Sequence, residues 1–219
     1  MEERTRRLWT LAIIISASAA ILGAEVDGLG GLHYAFKPLT TLLILGMASR
    51  LTSEVPGYRR LVIAGLLLSM LGDVFLMLPF DGFVFGLGSF LLAHVAYLFA
   101  LRKRGSWWAV RWPMAAYAII AALVFAQLWP RLPVELRVPV IVYVLALAGM
   151  AAQAASVWRQ QPCAMTRMAA IGGAFFVLSD AMLALDRFSV PIPHAPAWVL
   201  VTYWIAQWCI ARSVASSTP

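Results

Sequence analysis

Long apolar runs, separated by charged residues, prolines and glycines, fill the chain from end to end. Runs of roughly 16 to 21 residues lack the two-residue alternation of barrel strands, and unpaired backbone groups are too costly in lipid, so each run is predicted to be a helix. The predicted helices cover residues 8–24, 35–48, 61–78, 82–101, 113–129, 138–157, 166–185 and 197–212. The sequence therefore predicts an all-α, polytopic transmembrane bundle of about eight helices, forming a single domain over residues 1–219.

Composition agrees with this class, because 62% of the 219 residues are hydrophobic and only 12% are charged. The net charge of +7 does not indicate nucleic-acid binding, since the basic residues are spread over alternate loops rather than gathered on one segment. One set of loops and ends carries Arg4, Arg6, Arg7, Arg50, Arg59, Arg60, Arg102, Lys103, Arg104, Arg111, Arg159, Arg167 and Arg212, whereas the other carries Arg131, Arg137 and Arg187. The positive-inside rule then predicts a bacterial inner-membrane protein with both termini in the cytoplasm.

Two features of the chain leave this picture unchanged. The basic, then apolar start also resembles a secretory signal peptide, but a retained first helix makes the charge distribution consistent. Cys163 and Cys209 show no metal-ligand spacing and are interpreted as packing residues.

Two carboxylates interrupt the apolar runs. Asp73 lies within residues 66–78 and Asp180 within residues 174–185, each about 7 to 8 Å from the outer end of its predicted helix. Gly65 and Gly172 precede them by the same spacing, which indicates either a weak parallel repeat or convergent helix packing. An acid at this depth faces the bundle interior or water, so we expect the two helices to be neighbours and their small-residue faces to converge with the face of the fourth helix.

Each polar residue also has a purely structural interpretation. A lone aspartate can bond a neighbouring helix, and His94, about 18 Å deep, is more often a buried histidine with satisfied hydrogen bonds than a catalyst. Lys37 could be an interfacial anchor. Tyr117 and Tyr143 are the only ionisable side chains of the fifth and sixth helices, which we predict to be scaffold.

Paired carboxyl groups favour two chemistries about equally. One acid can donate a proton while the other activates water, as in reactions with an oxocarbenium-like state, or both can relay protons or cations through a transporter. Ser69 and Ser179 fit no nucleophile motif. No metal or other cofactor is required, although Asp73, His94 and Asp180 together could in principle bind a metal ion.

Several motifs in order along the chain resemble the YhhN family of membrane proteins, which includes the lysoplasmalogenases. They are Lys37-Pro38, L-G-D ending at Asp73, Phe90 to Tyr97 (F-x-x-A-H-x-x-Y), Ser179 to Ala184 with Arg187-Phe188, and Tyr203 to Gln207 (Y-x-x-A-Q). The resemblance implies hydrolysis of the vinyl ether bond of a lysoplasmalogen to a fatty aldehyde and a glycerophospho-alcohol. It covers nearly the whole chain, and the co-occurrence of the motifs makes it specific.

The resemblance also implies site residues. We expect Asp73, Asp180 and His94 to be catalytic, with one aspartate protonating the vinyl carbon and the other activating water, and the remaining residues to bind substrate: Lys37, Tyr97, Ser179, Tyr203 and Gln207. The expected partners are a lysophospholipid and bilayer lipids. A proton-coupled lipid or solute transporter is the alternative, and a lipid sensor without turnover is the third possibility.

Overall fold

A computed structural model describes residues 3–79 and 81–216 of the protein. These residues form a bundle of eight helices and no strand. The helices are α1 (Glu3–Glu25), α2 (Gly30–Arg50), α3 (Tyr58–Met77), α4 (Phe83–Arg102), α5 (Trp112–Leu128), α6 (Val134–Gln160), α7 (Ala164–Phe188) and α8 (Ala195–Arg212). The predicted all-α class and the number of helices are confirmed.

Most of the helices extend beyond the predicted apolar runs. α6 has 27 residues and α7 has 25, because helical hydrogen bonding continues into polar flanks that hydropathy does not count. α2 begins at Gly30 rather than near residue 35, so Pro38 lies within the helix and not in its first turn. The sequence thus located the helices but not their ends.

Five helices have the length and apolar composition of a membrane span, namely α1, α3, α4, α6 and α7. α5 is apolar but has 17 residues, whereas α2 and α8 contain several polar side chains that the bundle buries, among them Lys37 and Gln207. Large apolar side chains such as Ile15 and Leu145 remain exposed on the outer surface, as expected where lipid is the solvent. The chain is an integral membrane protein.

The helices alternate in direction and sort the loops to two ends of the bundle. The distal end, as we call it, holds the loops after α1, α3, α5 and α7. Three polar contacts join these loops: Glu25 with His194, Asp81 with Arg187, and Arg131 with Ser189. The terminal end holds the other loops, where Arg104 donates to the Ser213 carbonyl. Loops predicted to share one side of the membrane therefore share one end of the bundle.

The packing order differs from the expectation for the two acid-bearing helices. α3 packs against α2, α4 and α8, whereas α7 packs against α5, α6 and α8, and within the described residues α3 and α7 make no direct helix contact. The expectation that they are neighbours is wrong, because α8 packs against both. Gly65 on α3 accommodates the Tyr97 ring of α4, and Gly172 on α7 lies against the α8 backbone at Ala206.

Candidate functional site

Asp73 lies at the centre of a buried hydrogen-bonded cluster between α2, α3 and α8. Its Oδ2 accepts hydrogen bonds from the Tyr203 hydroxyl at 2.7 Å and the Thr41 hydroxyl at 3.0 Å. The Lys37 Nζ atom lies 3.9 Å from Oδ1, and the side chains of Lys37 and Asp73 are 10% and 3% exposed. A carboxylate with a nearby ammonium and two hydroxyl donors is compensated for its removal from water.

The cluster around Asp73 continues along α8 to α4. Gln207 Nε2 donates to the Tyr203 oxygen at 3.1 Å, and the Tyr97 hydroxyl donates to Gln207 Oε1 at 2.8 Å. Ser69 lies 3.5 Å from the Tyr97 oxygen. We call Lys37, Thr41, Ser69, Asp73, Tyr97, Tyr203 and Gln207 the Asp73 cluster. Because its buried polar atoms satisfy one another, it holds four helices in one arrangement.

Asp180 belongs to a second cluster, formed with Tyr143 of α6 and His94 of α4. The Tyr143 hydroxyl donates a short hydrogen bond to Asp180 Oδ2, and His94 Nε2 lies 3.0 Å from the Tyr143 oxygen and 3.5 Å from Asp180 Oδ2. Since the Tyr143 proton is used on Asp180, His94 donates from Nε2 to the Tyr143 oxygen. Asp180 Oδ1 has no hydrogen-bond partner among the described residues. We call these three residues the Asp180 cluster.

Aromatic rings lie between the two clusters. The fully buried Phe176 ring is 4.6 Å from the His94 ring and 5.6 Å from the Tyr203 ring, centroid to centroid. Phe90 packs edge-on against Tyr203 at 5.8 Å. The faces of α4 and α7 therefore meet at His94 and Phe176, whereas Gly172 of α7 packs on α8, and the two acids lie in adjacent clusters rather than in one hydrogen-bonded pair.

The acids also differ in their access to open space. An apolar cavity opens between α4, α5, α6 and α7, with Leu76 of α3 at its edge, and Asp180, Tyr143 and Tyr117 supply the only polar side chains of its lining. The Asp180 side chain is 15% exposed, whereas Asp73 does not line the cavity. Asp180 is therefore the carboxyl that a molecule in the cavity would meet.

A groove between α5 and α6 adjoins the cavity. It shares the lining residues Tyr117, Ala121, Val144 and Ala148 with the cavity and extends to Trp108 and Ala152 near the terminal end. Its lining is almost wholly apolar. The two spaces are apolar and suit an alkyl chain in their chemistry, and the Asp180 carboxyl lies on the wall of the first.

Ser179 and Lys37 do not reach the cavity. The Ser179 hydroxyl donates to the Val199 carbonyl at 3.0 Å and thereby joins α7 to α8. Lys37 points to Asp73 instead. Tyr97, Tyr203 and Gln207 belong to the Asp73 cluster, so of the predicted residues only Asp180 lines the cavity, and only His94 shares its cluster.

No group of three His, Cys, Asp or Glu side chains suited to a metal occurs in the part of the chain that the structure describes. Asp73, His94 and Asp180, the set considered from the sequence, do not come together as metal ligands.

Tyr143 and Thr41 are site residues that the sequence reasoning missed. Tyr143 lies nine residues from the start of α6 and Asp180 eight from the end of α7, so both are about 12 to 14 Å from the distal end. This agreement in depth is the one signal that pointed to Tyr143. It is not sufficient, because the sequence does not show that Tyr143 rather than Tyr117 donates a hydrogen bond to an acid.

Comparisons with known proteins place the chain in a known family. Residues 32–214 match the model of the YhhN family. A lysoplasmalogenase from Mycobacterium bovis is 34% identical over 82% of this chain and 72% of that protein. The uncharacterized membrane protein YhhN of Escherichia coli O157:H7 is 27% identical over 94% and 99% of the two chains, and human lysoplasmalogenase TMEM86A is 34% identical over 71% and 65%. No solved structure gives a significant match.

Proposed function

The chain belongs to the YhhN family, and we propose that it is a lysoplasmalogenase, which hydrolyses the vinyl ether bond of a lysoplasmalogen. The products are a fatty aldehyde and a glycerophospho-alcohol. The observation that carries the proposal is the Asp180 carboxyl, held by Tyr143 on the wall of an apolar cavity. The names of the relatives from Mycobacterium bovis and human support the same reaction.

Hydrolysis of a vinyl ether needs a proton donor at carbon. Protonation of the carbon beta to the ether oxygen gives an oxocarbenium ion, and water then adds to the carbon that bears the oxygen, losing a proton to a base. The resulting hemiacetal forms its carbonyl as the bond to the glycerol oxygen breaks, and that oxygen takes up a proton. The net change is the addition of one water molecule.

We assign the proton donor to Asp180. Tyr143, itself held by His94, donates to Oδ2, so Oδ1 is the oxygen left to carry the proton to the vinyl carbon. The carboxylate formed in this step then lies beside the oxocarbenium ion, where it stabilises the positive charge and accepts the proton of the attacking water. Asp180 thus serves first as acid and then as base.

Asp73 receives a different role in this proposal. In a mechanism with paired aspartates, the second carboxylate would activate the water. Both Asp73 oxygens, however, face Lys37, Thr41 and Tyr203, and the Asp73 cluster does not line the cavity. We propose that Asp73 fixes Tyr203 and, through ring packing, Phe176, which supports His94. It is a positioning residue.

A transporter is the second candidate, because the Asp73 cluster forms a buried chain of hydrogen bonds of the kind a proton relay uses. A panel of substrates separates the two functions. Purified protein should release aldehyde from a lysoplasmalogen but no product from the saturated ether analogue or from an ester lysolipid. Proton-coupled flux in liposomes without product would support the transporter, and cleavage of the ester alone would make the protein a lysophospholipase.

A further inference from the structure

The distal rim of the cavity carries a guanidinium group, and we propose that Arg187 binds the phosphate of the lysolipid substrate there. The inference rests on the proposed function for the position of the reacting bond, and it adds a binding site for the headgroup. The ligand of this site would be a phosphate monoester or diester attached to a single-chain glycerol ether.

The Arg187 side chain is held against the cavity by aromatic rings. Its guanidinium carbon lies 4.2 Å from the Phe83 ring centroid and 5.6 Å from that of Phe188, and both rings line the cavity. Stacking on rings orients the planar guanidinium and leaves its N–H donors in the plane, available to an oxyanion. The cation therefore lies at the rim of the cavity, partly covered by two of its lining rings.

The spacing between Arg187 and Asp180 fits the substrate. Residues seven apart on a helix lie on the same face, and the axial separation is about 10 Å. In a lysoplasmalogen six bonds separate the vinyl carbon next to the ether oxygen from the phosphorus, which is about 7 to 8 Å for bonds near 1.5 Å. With the vinyl group at Asp180, the phosphate comes within reach of the Arg187 side chain.

The present partner of Arg187 is exchangeable. Its Nη2 atom donates to Asp81 Oδ1 at 3.1 Å, but the two side chains are 41% and 77% exposed, and such pairs are weak in water. A phosphate can accept two parallel hydrogen bonds from a guanidinium and competes well with one exposed carboxylate oxygen. Lys37, the cation expected near the rim, is turned toward Asp73 and does not line the cavity.

The same end of the bundle offers a matched control. The Arg137 guanidinium stacks on the Trp129 ring at 4.4 Å, and neither residue lines the cavity. Arg137→Gln removes the same charge from the same end without touching the rim. Arg187→Lys keeps the charge but loses the planar pair of donors.

The test compares substrates with and without the phosphate. Initial rates are measured in detergent micelles for an alkenyl-glycerophosphocholine and for the corresponding alkenyl-glycerol. Arg187→Gln should lower kcat/KM for the phosphate-bearing substrate about tenfold or more, mainly through KM, and leave the alkenyl-glycerol within about twofold. Arg187→Lys should be intermediate, and Arg137→Gln should match the parent protein on both substrates.

An equal loss on both substrates, or no loss on the phosphate-bearing one, would overturn the proposal. A binding measurement tests the phosphate site independently of the hydrolysis reaction. The saturated ether lysolipid should raise the Tm of the parent protein, and Arg187→Gln should require a higher concentration for the same rise, whereas a saturated alkyl-glycerol should act equally on both proteins. If the parent released no aldehyde but this difference in binding remained, the hydrolase would be rejected and the phosphate site retained.

Discussion

The Tyr143 hydroxyl donates a short hydrogen bond from α6 to Oδ2 of Asp180 on α7, at the wall of the apolar cavity. This contact joins a helix that hydropathy marks as scaffold to the carboxyl that faces open space. It holds Oδ2 and leaves Oδ1 without a hydrogen-bond partner among the described residues, which is the arrangement that the proposed proton donor requires.

Replacing Tyr143 tests that relationship. Tyr143→Phe removes the hydroxyl that orients Asp180 and separates it from His94, so kcat should fall roughly 10- to 100-fold with little change in KM, in keeping with the effect of misplacing a general acid. Tyr117→Phe is the control, because Tyr117 lines the same cavity but has no hydrogen bond to Asp180. Equal effects of the two substitutions would show that the hydroxyl of Tyr143 has no special role.

The ion pair of Lys37 with Asp73 makes a prediction about stability. Lys37→Met leaves a buried carboxylate without its cation, and Asp73→Asn leaves a buried ammonium, so each single variant should lose about 3 to 5 kcal/mol of stability. The double variant removes both charges and should recover a large part of that loss. Thermal unfolding in detergent measures the stability of the parent, the two single variants and the double variant. If the double variant lost as much stability as the two single variants together, the result would argue against a buried ion pair.

The groove predicts selectivity for chain length. Ala148 lines both the cavity and the groove, and it lies about 7.5 Å along α6 from Tyr143, a distance that about six methylene groups span. Ala148→Phe should reduce turnover of long-chain lysoplasmalogens while leaving chains of about six to eight carbons active. Ala115→Phe, on an exposed position of α5 outside both spaces, should leave the profile unchanged. A uniform loss at all chain lengths would indicate that the alkenyl chain lies elsewhere.

Labelling with a membrane-impermeant maleimide tests the predicted orientation. Cys163 is exposed at the start of α7, at the terminal end, and should react only after the cells are opened. In a Cys163→Ser background, Asp81→Cys at the distal end should react in intact cells, because Asp81 is largely exposed. The opposite pattern would reverse the predicted placement of both termini in the cytoplasm.

Hydropathy was enough to predict the eight helices, because the cost of an unpaired backbone in lipid makes every span a helix. It also located Asp73 and Asp180, since a charge within an apolar run is conspicuous. It did not give the lateral order of the helices, which depends on side-chain packing, so α8 was not expected between α3 and α7. For the same reason the sequence assigned to one catalytic pair two acids that Phe176 and its neighbours keep in separate clusters.

Aldehyde release by aspartate variants tests the central claim most directly, namely that Asp180 is the reacting carboxyl and Asp73 positions the site. With an alkenyl-glycerophosphocholine as substrate, Asp180→Asn should lower turnover by roughly a thousandfold or more. The folded Lys37→Met and Asp73→Asn double variant should retain at least about a tenth of the parent rate, because a positioning residue is lost without removing the proton donor. Substantial turnover by Asp180→Asn, or a double variant as inactive as Asp180→Asn while still folded, would contradict the account.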